Sequence, residues 1–308
     1  MKSRQAIVKN LESRPDRSRL AIDYINAYIH RSDAKNKVGS PPYTAFGMLG
    51  HDGLFKSIAA ALSNEAWTEP LSGAVKYKMM SHKLSYFWHH NFRNLFPESV
   101  QPLRVISWED ISETMAFCFL LGWHNEAIYE GNLAVSALKN GYHLELSYGK
   151  RHRQAQAFMI QLLASWQGRT KHNQPPILDD ESIYRAILEH WRDRNAETLT
   201  KLLLEACDRH VRESHYDTDE TFFDFCDDSV MRTPLEILMV FRLRERSGLD
   251  IPVLEHPLME RPFDGLVPPR PLLDDDPMMQ AVLARLRSDW SDFDKVMSFH
   301  ALRGLAEA

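Results

Sequence analysis

The chain has 308 residues, 44% of them hydrophobic and 26% charged, with a net charge of −5; this excludes wholesale disorder and lets a core form without disulfide or metal staples. Glycine is scarce at 13 residues, and no window approaches the roughly 20 apolar residues of a membrane span, so an all-α protein in the cytoplasm is expected. The three cysteines, Cys118, Cys207 and Cys226, share no metal-type spacing and read as reduced thiols.

Met1-Lys2-Ser3-Arg4 runs into a charged helix-like segment with no apolar stretch of signal-peptide type. Over residues 17–32, Leu20, Ile22, Tyr24, Ile25, Tyr28 and Ile29 recur at helical spacing and predict one buried stripe. Segment 44–65 continues as a helix, although Gly47, Gly50 and Gly53 weaken its first half. Leu71 to Leu95 predicts a long helix stopped before Pro97. Ser107 N-caps the next one, with Glu109 and Asp110 in its positive first turn, and Ser107–Gly122 pairs with His124–Asn140. Tyr142–Leu146 reads as a turn, and Lys150–Gln167 as a helix ending at Gly168. The polar, double-proline stretch 169–178 predicts a boundary, giving two helical parts, 1–172 and 173–308.

Beyond it, Asp180 is expected to cap Ser182–Arg192, and Ala196–Ser214 follows. Thr233-Pro234-Leu235-Glu236 predicts a capping box with proline at the first helical position, opening a helix that stops at Gly248. Residues 249–277 hold seven prolines and predict an ordered, extended wrap. Asp276-Pro277 opens a final helix to Leu302. The predicted fold is a two-part array of packed helical hairpins with this proline-rich segment near the C-terminus.

Candidate chemistry fails on spacing. His82, His89 and His90 share a helix, but neither His-Glu-x-x-His nor Glu-x-x-His occurs there, and His210 and His215 lack support too. Asp274-Asp275-Asp276 is followed by proline, which suits a helix cap better than a metal box. A calcium loop at Asp217 fails because Phe222 stands where glycine is needed and Asp228 where glutamate is needed. Cys207 and His210 are three apart but mid-helix, away from the N-terminal position that activates a thiol. No phosphate loop or nucleophile elbow is present, so no catalytic, cofactor-binding or metal residue is assigned.

Charge is unevenly spread. Residues 1–150 carry 17 basic and 14 acidic side chains, and the remainder 20 and 28. That split argues against nucleic-acid binding and for a basic protein partner on the C-terminal half. The candidate surface is Asp217, Asp219, Glu220, Phe222, Phe223, Asp224, Asp227 and Asp228, in a stretch that also holds Phe225. Acids beside aromatics supply steering charge and a desolvated anchor together. A purely structural alternative has the acids solvated and the phenylalanines pinning a loop to the core.

Arg232-Thr233-Pro234-Leu235-Glu236-Ile237-Leu238, Phe241 to Leu249, Pro252 to Met259 and Pro262 together resemble the C-terminal region of bacterial immunity proteins. These are the PoNi-like proteins that neutralise polymorphic, PoNe-type nuclease toxins, and the match covers roughly 35 residues. The resemblance implies an all-α, two-part protein that binds and blocks a toxin delivered by a neighbouring bacterium. Such toxins have basic DNA-binding clefts, which suits an acidic inhibitor. Two rivals are a metal-dependent helical enzyme and a helical-hairpin scaffold with a peptide-binding groove.

Overall fold

The periodicity is realised as thirteen α-helices in a computed structural model, which describes residues 2–31, 41–95, 107–140, 153–169 and 182–307. No strand occurs among these residues. Helices α1 (Arg4–Glu12) and α2 (Ser18–His30) lie on α3 (Tyr43–Leu62), which pairs with the long α4 (Thr68–Leu95). Gly47, Gly50 and Gly53 face Ser81, Lys78 and Ala74 in turn, so the pair is antiparallel. A Cβ on Gly50 would stand 2.6 Å from Lys78 Cγ, and one on Gly53 2.9 Å from Ala74 Cβ. The glycines that lower helix propensity are therefore what lets the two helices approach, and the helix runs straight through them.

Helices α5 (Trp108–Leu120) and α6 (His124–Lys139) form the next hairpin, turning at Gly122 with φ +81°. Helix α7 (Gln154–Trp166) packs on α5, and α8 (Ile183–His190) joins α7 to α9 (Glu197–Arg212). Helix α10 (Leu235–Arg246) is buried at every position from Leu235 to Arg244 and contacts α5, α7 and α9. A helix covered on all sides belongs at the centre. The boundary predicted over 169–178 lies outside the described residues apart from Arg169, as do Tyr142–Leu146 and Asp180. Helices on either side of that boundary share one continuous core.

Two buried arginines of α10 hold the segment that follows. The Arg242 guanidinium donates to the carbonyls of Phe119 (3.0 Å) and Leu120 (2.9 Å) at the end of α5, and to that of Val267 (2.6 Å). Arg244 donates to Trp191 (2.6 Å), Asp193 (3.0 Å) and Asp250 (2.7 Å) carbonyls. Residues 249–276 are extended apart from a 3-10 turn at Pro257–Met259 and a turn over 261–265, as their prolines predict. Trp123 Nε1 donates to the Arg270 carbonyl and the Arg270 amide donates to the Leu121 carbonyl, joining the α5–α6 turn to this strap.

Three local expectations are corrected. In α2 only Ala21 and Ile25 are fully buried, while Leu20, Ile22 and Tyr24 are exposed, so the stripe is narrower than the apolar spacing implies. The capping box at Thr233 does not form: the Thr233 hydroxyl donates to the Ser229 carbonyl, and Glu236 turns inward to His210. The final helix is three, α11 (Pro277–Asp289), α12 (Phe293–Val296) and α13 (Phe299–Glu307), because Trp290 and Phe293 turn to pack edge-on against Phe87. The breaks let α13 lie along α6, whose Ser136 and Lys139 donate to its Leu302 and Ala306 carbonyls. No helix among the described residues is long and apolar enough to cross a membrane.

Candidate functional site

The acidic stretch folds as one loop between α9 and α10, and the structure divides its acids into two groups. Asp219 and Glu220 are exposed. The others are held by basic side chains from distant parts of the chain. Asp217 accepts from Arg153 at 2.8 Å and from the Phe223 amide. Asp224, 3% exposed, accepts from Arg209 at 2.8 Å and from the Ala155 amide at 3.1 Å. Asp228, 1% exposed, accepts from Tyr216 at 2.6 Å and pairs with Lys2 and Arg14. Asp227 meets Arg14 and turns back on Ser229.

Asp224 and Asp228 are thus unavailable to a partner, and Asp217 and Asp227 are committed to internal ones. Phe222 and Phe223 are half-buried, and Phe225 stacks on the buried His210 with ring centroids 3.6 Å apart. The charge asymmetry has an internal meaning as well. Lys2 and Arg14 of the basic half reach Asp227 and Asp228 of the acidic half, so part of the imbalance is spent holding the molecule together. Between those anchors the tip is tied by Thr218, whose hydroxyl accepts from the amides of Glu220 and Thr221. The result is a short, fastened projection bearing two solvated carboxylates.

A second cluster joins α4, α5, α6 and α7. His82 is buried and donates from Nδ1 to Glu130 (2.7 Å) and from Nε2 to Asp110 (3.2 Å). Burial alone would depress its pKa, but the charge of Glu130 and the bonds to both acids carry it up to about 9. Lys78 pairs with Asp110 and donates to His51 Nε2 at 2.9 Å. The Lys78 charge, followed by burial, pushes His51 down to about 4. Burial opposes ionisation of Asp110, yet Lys78 and His82 hold it well below the usual carboxylate range. Glu113 is pushed up to about 8, first by burial and then by Asp110, while the Gln156 amide donates to it at 3.2 Å. Glu109 pairs with Arg153, which connects this cluster to the acidic loop.

No family model, curated protein or solved structure matches the chain. No three of the described His, Cys, Asp and Glu side chains converge as a metal site would require. Cys118 and Cys207 are buried thiols, and Cys226 accepts from Arg153 at 3.3 Å. Asp276 caps α11 through the Met279 amide (2.8 Å) and Asp275 pairs with Lys76 (2.6 Å), so the aspartate run is structural. Sequence reasoning passed over Lys78, Asp110, Glu113 and Glu130 as a group. Asp110 and Glu113 are neighbours three apart on α5, but only packing brings Lys78 of α4 and Glu130 of α6 to them; the one legible hint is the acidic first turn of α5.

This cluster sets an expected pH dependence. His51, depressed in the fold from 6.5 to about 4, adds stability as pH rises across that interval. Glu113, raised from 4.5 to about 8, stabilises fully below 4.5 and loses that contribution as pH rises to about 8. His82, raised from 6.5 to about 9, loses its contribution between those values. From 4.5 to 6.5 the first two oppose each other; above 6.5 both remaining groups destabilise. The urea midpoint is expected to be level up to about pH 6.5 and to fall towards pH 9. Glu113→Gln makes the midpoint rise with pH below 6.5 and shallows the fall above it; an unchanged profile would remove Glu113 from the account.

Proposed function

We propose that the chain is a binding protein of the immunity type, which neutralises a basic antibacterial toxin domain, of the nuclease class, by direct protein–protein contact. The observation that carries this reading is the fastened tip, which holds Asp219 and Glu220 in solvent between the ion pairs of Asp217 and Asp228. Fixing two charges in advance of an encounter lowers the ordering cost of binding and steers a cationic surface. The resemblance of residues 232–262 to PoNi-like proteins supplies the partner class. Arg242 and Arg244 within that stretch are consumed internally, so contact is assigned to the tip and the flanking Phe222 and Phe223.

Co-expression with the product of the adjacent gene is the direct test, and rescue of growth is expected. Asp219→Lys combined with Glu220→Lys is expected to weaken the complex at least tenfold, about 1.4 kcal/mol. Stability should stay within about 0.5 kcal/mol, because both side chains are exposed. Wild-type affinity in the double variant, measured by calorimetry at moderate salt, would move the interface elsewhere.

A second reading, an enzyme that disarms its target chemically, is favoured by Glu113, a carboxyl poised to exchange a proton near neutral pH beside Asp110. Stoichiometry separates the two. A binder protects only at one molecule per toxin or more, whereas an enzyme protects at a small fraction of that.

A further inference from the structure

A cleft of about 290 Å³ opens between α4, α6, α11 and the start of α13, and shares no residue with the acidic tip. Its walls are largely apolar, formed by Met79, Met80, Met279 and Leu283. Methionine-lined walls adapt to flexible aliphatic ligands. The cations on the α4 side are Lys76 and Lys83, and they differ in one respect. Lys76 is paired with Asp275 at 2.6 Å. Lys83 is half-buried, and its ammonium has no hydrogen bond or ion pair among the described residues.

The two acids that act most strongly on Lys83 are already committed, Asp275 to Lys76 and Asp294 to Arg287 at 2.9 Å. Lys83 Nζ lies over the Phe293 ring, 5.5 Å from its centroid. A charge withdrawn from water in this way carries a cost that a ligand anion would relieve. Burial accordingly pushes the Lys83 pKa down. The floor does not oppose an anion, because the fully buried Glu130 is matched by a protonated His82. The Glu130 Oε1 has no partner among the described residues and is left to accept a hydrogen bond. Glu126 is a further acid in the lining, and its effect on Lys83 is smaller than that of Asp275 or Asp294.

We propose that this cleft binds a small amphipathic carboxylate, with its aliphatic chain between the methionines and its carboxylate on Lys83. Titration of the full chain with octanoate in a calorimeter tests the proposal. Saturable binding at one site is expected, and Lys83→Met, which keeps the apolar stem, should weaken it at least tenfold, about 1.4 kcal/mol. Met279→Trp, which fills the cleft while leaving the charge, should weaken it as well. Octyltrimethylammonium, with the same chain and opposite charge, should not bind at the site. Because Lys83 has no ion partner to lose, the urea midpoint of Lys83→Met should not fall. Absence of saturable octanoate binding, equal affinity in Lys83→Met, or equal binding of the cation would each overturn the assignment. A failure of toxin rescue leaves it untouched, since the tip and the cleft are read out separately.

Discussion

Arg242→Met is expected to cost about 3–5 kcal/mol of folding stability, the range for removing one member of a buried, fully hydrogen-bonded charge site. The α5 C-terminus explains the size of the effect. The last carbonyls of a helix have no partner within it, and those of Phe119 and Leu120 are capped here by one guanidinium, which also reaches the Val267 carbonyl. Methionine matches the stem but leaves the Leu120 and Val267 carbonyls without that donor and the Phe119 carbonyl with the Gly122 amide alone, each buried acceptor left unpaired costing about 1–3 kcal/mol. Arg242→Lys is expected to recover less than half of the loss, because an ammonium cannot span the fork that the planar group occupies. Urea unfolding of the three proteins checks this. A loss below about 1 kcal/mol in Arg242→Met would mean that water replaces the guanidinium.

Asp224→Asn is expected to cost about 2–3 kcal/mol, while Asp219→Asn, five residues away, changes stability by less than about 0.5 kcal/mol. The contrast arises at the start of α7. Its N-cap residue, Arg153, has a left-handed backbone (φ +69°) and makes no side-chain cap. The Asp224 carboxylate fills the role from 69 residues away, accepting from the Ala155 amide while pairing with Arg209. An acid at a helix N-terminus also meets the positive end of the helix dipole. Asparagine retains the shape but leaves Arg209 with Glu213 alone, at 3.7 Å. Thermal unfolding of the two variants is the measurement. Equal losses would show that the acids of this loop are energetically alike, contrary to their burial.

Most helix caps and glycine stops are legible in the sequence, and the long-range pairings are not. Ser107 accepts from the Asp110 amide, Asp276 caps α11 ahead of Pro277, and Gly122, Gly168 and Gly248 turn with positive φ at helix ends. Each of these depends on residues within one turn of the chain. The Thr233 capping box failed for a tertiary reason: His210 on α9 offers Glu236 a buried partner at 2.8 Å, which outweighs a cap on the surface. The acidic loop was found, but its internal division was hidden. Whether an aspartate is solvated or spent depends on where Lys2, Arg14 and Arg153 arrive, and their positions in the sequence say nothing of that. The cluster around Asp110 was illegible for the same reason, since no two of its helices present a metal-type or triad spacing.

The anchoring of the first helix to the acidic loop also constrains the order in which the molecule can be completed. Lys2 and Arg14 find Asp227 and Asp228 more than 200 residues later in the chain, and Asn10 finds Tyr216 at a similar remove. During synthesis α1 therefore leaves the ribosome long before these partners exist. Its remaining support is α3, through Ile7 and Leu11. Closing so long a loop carries an entropic cost that earlier contacts must first reduce. The first helix and the acidic loop thus meet as a late seal, and the tip that bears Asp219 and Glu220 acquires its final shape only when that seal is made.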